Sequence, residues 1–245
     1  MKNYILKIAD DTLILGQRLA EWCGKGPYLE EDIALTNIAL DYLGQSNLFY
    51  EYATQFHEGK SVDDLAFLRY EHEYLNAQLV EFPNGDYAQT VLKVYLFSVY
   101  YKTLLSQLKN SSDEQLVALA EKSLKEVRYH YMHTKSWLEI FGNGTEESLQ
   151  RLEKALSNLW EYTGSLFDEV DNENHLVDLN IVPSSENVKQ EWLRVIAEDF
   201  EIFNLQIPES NFMQKGSRKG IHTEYFGYIL CELQYMQRAY PGCAW

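Results

Sequence analysis

The chain has 245 residues and a formal net charge of −16, with 37 acidic against 21 basic side chains. Its 46% hydrophobic and 14% aromatic content supports a folded core and excludes a disordered chain. The charge argues against nucleic acid or an anionic membrane as a general partner, and no apolar run reaches the length of a transmembrane helix.

The N-terminus, MKNYILKIADDTL, places acids too early for a signal peptide. From there to Trp22 the apolar residues Ile5, Ile8, Leu15 and Leu19 recur at helical spacing, predicting a helix over 4–22 that stops at Gly24, Gly26 and Pro27. A second helix is predicted over 32–56, with Ala34, Ile38, Asp41, Gln45, Leu48 and Tyr52 on one face. Ser61 and Asp64 are placed to start a third, over 61–79, carrying Leu65, Leu68, Glu71, Leu75 and Leu79. Pro83 and the Asn84–Gly85 pair end it in a turn.

Asp86 and Gln89 form a capping box for a fourth helix that runs to about Lys109. The fifth, over 112–141, starts at a Ser112/Gln115 capping box and ends at Gly142. Leu116, Leu119, Ser123, Glu126, His130, Thr134, Trp137 and Phe141 lie on its inward face. A sixth runs from Thr145 through Phe167, a connection spans 171–185, and a shorter helix covers 186–203. Residues 205–220 read as irregular, and a last helix covers 222–240. No strand run or nucleotide-binding glycine motif appears. Cys23, Cys231 and Cys243 lack paired spacing, so neither a zinc knuckle nor a disulfide framework is suggested, and a reduced cytoplasmic setting is expected. The expected architecture is all-α, one domain over 1–245. A four-helix core over about 32–141 is flanked by helices at 4–22 and 145–240.

Asp41, Glu71 and Glu126 fall among apolar neighbours on three of these helices, and a buried carboxylate needs a partner. Four-helix di-iron sites take two lone carboxylates and two Glu-x-x-His pairs. Three residues beyond Glu71 stands Tyr74, and three beyond Glu126 stands Tyr129, so neither pair is intact. A charge network with tyrosines, His130 and Arg69 or Arg128 is the favoured reading; a single metal ion and a working di-iron oxidase are the alternatives. Separately, residues 213–224 gather Lys215, Arg218, Lys219 and glycines just before a helix. That composition suits a phosphate-bearing ligand or an acidic partner, and equally a solvated loop.

Several stretches carry a family resemblance across the chain: LGQRLAEWCG at 15–24, NIALDYLGQ at 37–45, EFPNG at 81–85, KEVRYH at 125–130, FGNGT at 141–145 and KGIHTE at 219–224. Together they resemble the PaaC subunit family of bacterial ring-1,2-phenylacetyl-CoA epoxidases, also called phenylacetate-CoA oxygenases. The resemblance implies a ferritin-like fold and a noncatalytic, structural role beside a related PaaA-like catalytic subunit that carries the di-iron centre. It also implies a reductase with FAD, an iron–sulfur centre and NADPH among the oxygenase components. On this basis the chain holds no cofactor or catalytic residue of its own, and Asp41, Glu71 and Glu126 are remnants of an ancestral metal site. If the phosphates of phenylacetyl-CoA touch this subunit, Lys215, Arg218 and Lys219 are the candidates. The competing functions are an independent metal-dependent oxidoreductase and a helical ligand-binding or storage protein.

Overall fold

The computed structural model describes residues 1–209 and 212–243. Among these the chain is all-helical, with no strand. It divides into two units, Met1–Pro83 with Gly216–Trp245, and Asn84–Lys215.

In the first unit, α1 (Lys2–Ala20) and α2 (Leu29–Thr54) form an antiparallel hairpin. Ile5, Ile8, Leu15 and Leu19 of α1 and Leu35, Ile38, Tyr42 and Phe49 of α2 are fully buried, which supplies most of the drive for pairing. The turn between them is fastened by Asp32, whose carboxylate accepts from the Gly26 amide at 2.9 Å. Amide hydrogen bonds of this kind hold the Asp32 carboxyl below the usual range. Ser61 and Asp64 cap α3 (Val62–Phe67) reciprocally, as the sequence predicts.

The helix expected over 61–79 is not continuous. After α3 come a 3-10 turn at Glu71–Glu73 and the short α4 (Gln78–Glu81), with extended backbone at Tyr70, Tyr74 and Ala77. The cause is competition for the peptide groups. The Leu75 amide donates to Asp10 at 2.7 Å and the Ala77 amide to Asp11 at 2.6 Å. Two buried carboxylates thus take donors that a helix would have kept. Since α1 pairs with α2, it is a principal element and not the flanking helix expected from sequence. The first unit closes with a 3-10 turn at Ser217–Lys219 and with α5 (Phe226–Ala239), which starts four residues later than expected.

The second unit holds α6 (Tyr87–Leu108) and α7 (Glu114–Gly142), again antiparallel. Tyr87 packs edge-on against Trp137 and Phe141, and Tyr95 stacks on Tyr131. Asp86 caps α6 as expected, accepting from the Gln89 amide. Asp113, not Ser112, caps α7; the Ser112 amide and hydroxyl instead bond Asn180 and Leu179. α8 (Glu146–Leu159) passes into a 3-10 segment, Trp160–Phe167. The connection expected at 171–185 contains a helix, α9 (Glu173–Asp178), and α10 (Ser185–Ile202) follows it. Trp192 of α10 donates its indole N–H to Leu96 and stacks on Trp160. Positions 210 and 211 of the expected irregular stretch lie outside the described residues. Among the described residues no helix is long and apolar enough to cross a membrane.

Candidate functional site: buried charges and the predicted positions

The buried charges of the first unit are not the ones the inward stripes suggested. Asp10 and Asp11, adjacent on α1, are both inaccessible to solvent or nearly so. Arg69 donates to both Asp10 oxygens, to the Leu65 carbonyl at 2.5 Å and to the Glu73 carbonyl at 2.8 Å. The Tyr50 hydroxyl donates to Asp10 at 2.5 Å, and the Arg69 guanidinium lies 4.0 Å from the Tyr74 ring centroid. Burial works against the charge on Arg69, but Asp10 together with the Tyr50 and Tyr74 hydroxyls outweighs it and raises the pKa.

Arg218 forms the second pair. Its two terminal nitrogens donate to the Asp11 oxygens at 2.7 and 2.8 Å, and one also reaches the Leu75 carbonyl at 2.5 Å. A third cluster surrounds Glu81, which accepts from the Thr223 amide and hydroxyl and from Asn76, each at 2.7 Å. His222 sits against it, with Nδ1 2.6 Å from Glu81 and Nε2 3.1 Å from the Tyr74 carbonyl. Both ring nitrogens therefore face oxygen atoms of the first unit.

The second unit has its own clamp. Asp199 of α10 accepts from the Tyr95 hydroxyl at 2.7 Å, from Tyr131 at 2.8 Å and from Lys135 at 2.5 Å. One carboxylate thereby joins α6, α7 and α10.

These tyrosines set an alkaline limit on stability. Burial first, then neighbouring carboxylates, raises the Tyr50 and Tyr95 hydroxyls; Tyr74 and Tyr131 are pushed up to about 12 from an ordinary 10. A phenol whose pKa is raised on folding contributes stability that is complete below the unfolded value and lost as pH rises through the folded one. Stability against urea is therefore expected to fall between pH 10 and about 12, with part of the tyrosinate absorbance appearing only as the chain unfolds. Constant stability across that window would contradict this assignment.

The sequence-predicted positions are scattered. Asp41 is half-buried on α2 and Glu126 half-buried on α7, while Glu71 stands exposed in its 3-10 turn. Arg69 serves Asp10 and none of these three. Tyr74 is buried, donating its hydroxyl to the Ala66 carbonyl and accepting from Gln234; Tyr129 is exposed. His130 is fully buried on α7, and His72 is exposed. Among the described residues no group of three or more His, Cys, Asp or Glu side chains is placed to hold a metal ion. Tyrosines at both nitrogen-donor positions and a solvent-facing Glu71 do not fit a di-iron centre.

The phosphate candidates also part company. Lys215 and Lys219 are exposed, but Arg218 is buried in its pair with Asp11 and has no face for a ligand. The physical origin of this correction is simple: a basic residue beside glycines reads as solvated unless its acid, here 207 positions away, is known. Lys215 and Lys189 line, with Trp160, Trp192 and the acids Asp168, Glu169 and Glu186, a cleft of about 490 Å³.

The family described as Phenylacetic acid catabolic protein matches the chain over residues 1–245. The chain belongs to that family. It is 39% identical over 242 residues to the C subunit of the 1,2-phenylacetyl-CoA epoxidase of Escherichia coli (strain K12), covering 99% of this chain and 98% of that protein. The fold class of the chain is accordingly all-helical and ferritin-like. Its buried ion pairs are elements of that scaffold: each carboxylate is matched to a cation, peptide amides or hydroxyls of its own unit, which is how such a charge is tolerated inside.

Proposed function

We propose that the chain is a noncatalytic, structural subunit of a phenylacetyl-CoA epoxidase, working in the cytoplasm in aerobic phenylacetate breakdown. It would stabilise a related catalytic subunit that carries the di-iron centre, while a reductase with FAD, an iron–sulfur centre and NADPH supplies electrons. The observation that carries this reading is the end-to-end likeness to the C subunit of an epoxidase. The donor set supports it. Buried charges form internal pairs such as Asp10–Arg69 and Asp11–Arg218, and the residues three beyond Glu71 and Glu126 are the tyrosines Tyr74 and Tyr129, not histidines. What the chain offers chemically is rigidity: buried pairs fix the register of the elements they join.

Metal analysis of the purified chain, alone and after co-expression with the catalytic subunit, tests the reading. Iron absent from the isolated chain and found with the partner in a co-purifying complex is the expected result. About two irons per isolated chain, the loading of a ferritin-type site, would replace it with an oxidase in its own right.

A further inference from the structure

The outward face of α7 joins a basic row to an apolar one. Lys122, Lys125, Tyr129, Met132, Ser136 and Ile140 follow one another at intervals of three and four, so they share one side of the helix. All six are exposed, with Tyr129 at 48%, Met132 at 63% and Ile140 at 57%. At the N-terminal half of the stripe, Arg128 and Lys109 join the two lysines around a shallow cleft of about 480 Å³, in which Glu121 is the lining carboxylate. Among the described residues none of these four cations forms an ion pair with an acid of the chain. That is conspicuous in a protein with 37 acids and 21 bases, because like charges three residues apart on a helix repel.

We infer that this stripe is the docking surface for an amphipathic helix of the catalytic oxygenase subunit. That helix would set carboxylates against Lys122, Lys125 and Arg128 and apolar side chains against Tyr129, Met132 and Ile140. The inference rests on the subunit reading above. Two features select a helix over a small anion. The stripe from Lys122 to Ile140 extends for roughly 27 Å at 1.5 Å per residue, and a phosphate group held by its basic end would leave the apolar end in water. Aromatic, Met and Arg side chains are also those enriched where proteins meet. The outward residues Leu29, Ile33 and Leu40 of α2 are exposed too, but carry no such basic row and serve as the comparison.

The test uses full-length chain and the co-expressed catalytic subunit, with binding measured over a range of salt. Since all the altered residues are exposed, circular dichroism should be unchanged in every variant. The triple reversal Lys122→Glu, Lys125→Glu, Arg128→Glu is expected to weaken binding by about 100-fold and to flatten its salt dependence, and Met132→Asp by about 10-fold. Leu40→Glu is expected to stay within about twofold of wild type, as a side chain outside the contact does. A triple variant that binds like wild type overturns the inference, as does loss of binding with Leu40→Glu alone. So does a stripe whose reversal abolishes only self-association. A wild-type chain that binds no oxygenase subunit fails at an earlier point and removes the subunit reading itself.

Discussion

Replacing Arg218 with methionine is expected to destabilise the first unit by about 3–5 kcal/mol, the cost of leaving a buried carboxylate without its cation. Asp11 would keep the Ala77 amide as a donor but lose both guanidinium bonds, and the Leu75 carbonyl would lose one. Hydrogen exchange at the Ala77 amide should accelerate by the same free energy if opening of this segment follows the pair. The double variant Asp11→Leu, Arg218→Met should recover much of the loss, because a well-packed apolar pair can replace a buried ion pair at little cost. A single variant within about 1 kcal/mol of wild type, the scale of an exposed salt bridge, would show that the pair is solvated. It would also return Arg218 to the surface role that its sequence context suggests.

Gly142→Ala should be comparably damaging in the second unit. A Cβ at this position would lie 1.9 Å from the Phe203 carbonyl oxygen, far inside the 3.0 Å limit that real Cβ atoms respect. The obstructing atom is backbone and cannot swing away. The same junction is tied by Asn143, which donates to the Ile202 carbonyl at 2.9 Å, and by Asn204, which donates to Gly142. A loss of about 3 kcal/mol is expected, at the upper end for overpacking. Gly44→Ala, in the middle of α2 with open space for 4 Å around the place a Cβ would take, should instead stabilise by about 0.5–1 kcal/mol through helix propensity. Thermal denaturation of both variants checks the pair of signs. A neutral Gly142→Ala would mean that the end of α7 and residue 203 are further apart than described.

Local signals make the long helices legible in the sequence: apolar spacing, Gly24 and Gly26 after α1, the Asp86 cap before α6 and Gly142 at the end of α7. The break between α3 and α4 is not legible, since Leu65, Leu68, Leu75 and Leu79 keep a helical spacing through it. What interrupts the helix is a pair of carboxylates more than 60 residues earlier that claim the Leu75 and Ala77 amides. Those carboxylates had a signal of their own. Two consecutive aspartates, Asp10 and Asp11, within an otherwise apolar helix cannot both reach solvent when the residues on either side are buried. Periodicity directed attention to Asp41, Glu71 and Glu126 instead, because they lie in register with the stripes. Register says which side of a helix a residue occupies, whereas burial also depends on whether a helix is present, and at Glu71 it is not.

The wiring of residues 69–81 has a consequence for the order in which the protein can be made. Arg69 and the Leu75 amide find Asp10 in the N-terminal helix, but the Leu75 carbonyl waits for Arg218, Glu81 for His222 and Thr223, and the Tyr74 hydroxyl for Gln234. A ribosome-bound chain that has released its first 83 residues therefore holds Asp11 with the Ala77 amide but without Arg218, and Glu81 with Asn76 but without His222 and Thr223. The continuous stretch Asn84–Lys215 emerges next and can close its own contacts during synthesis. The unit begun first is thus completed last, and a nascent chain stalled before residue 216 would present two carboxylates that still lack their C-terminal partners to whatever quality control surveys it.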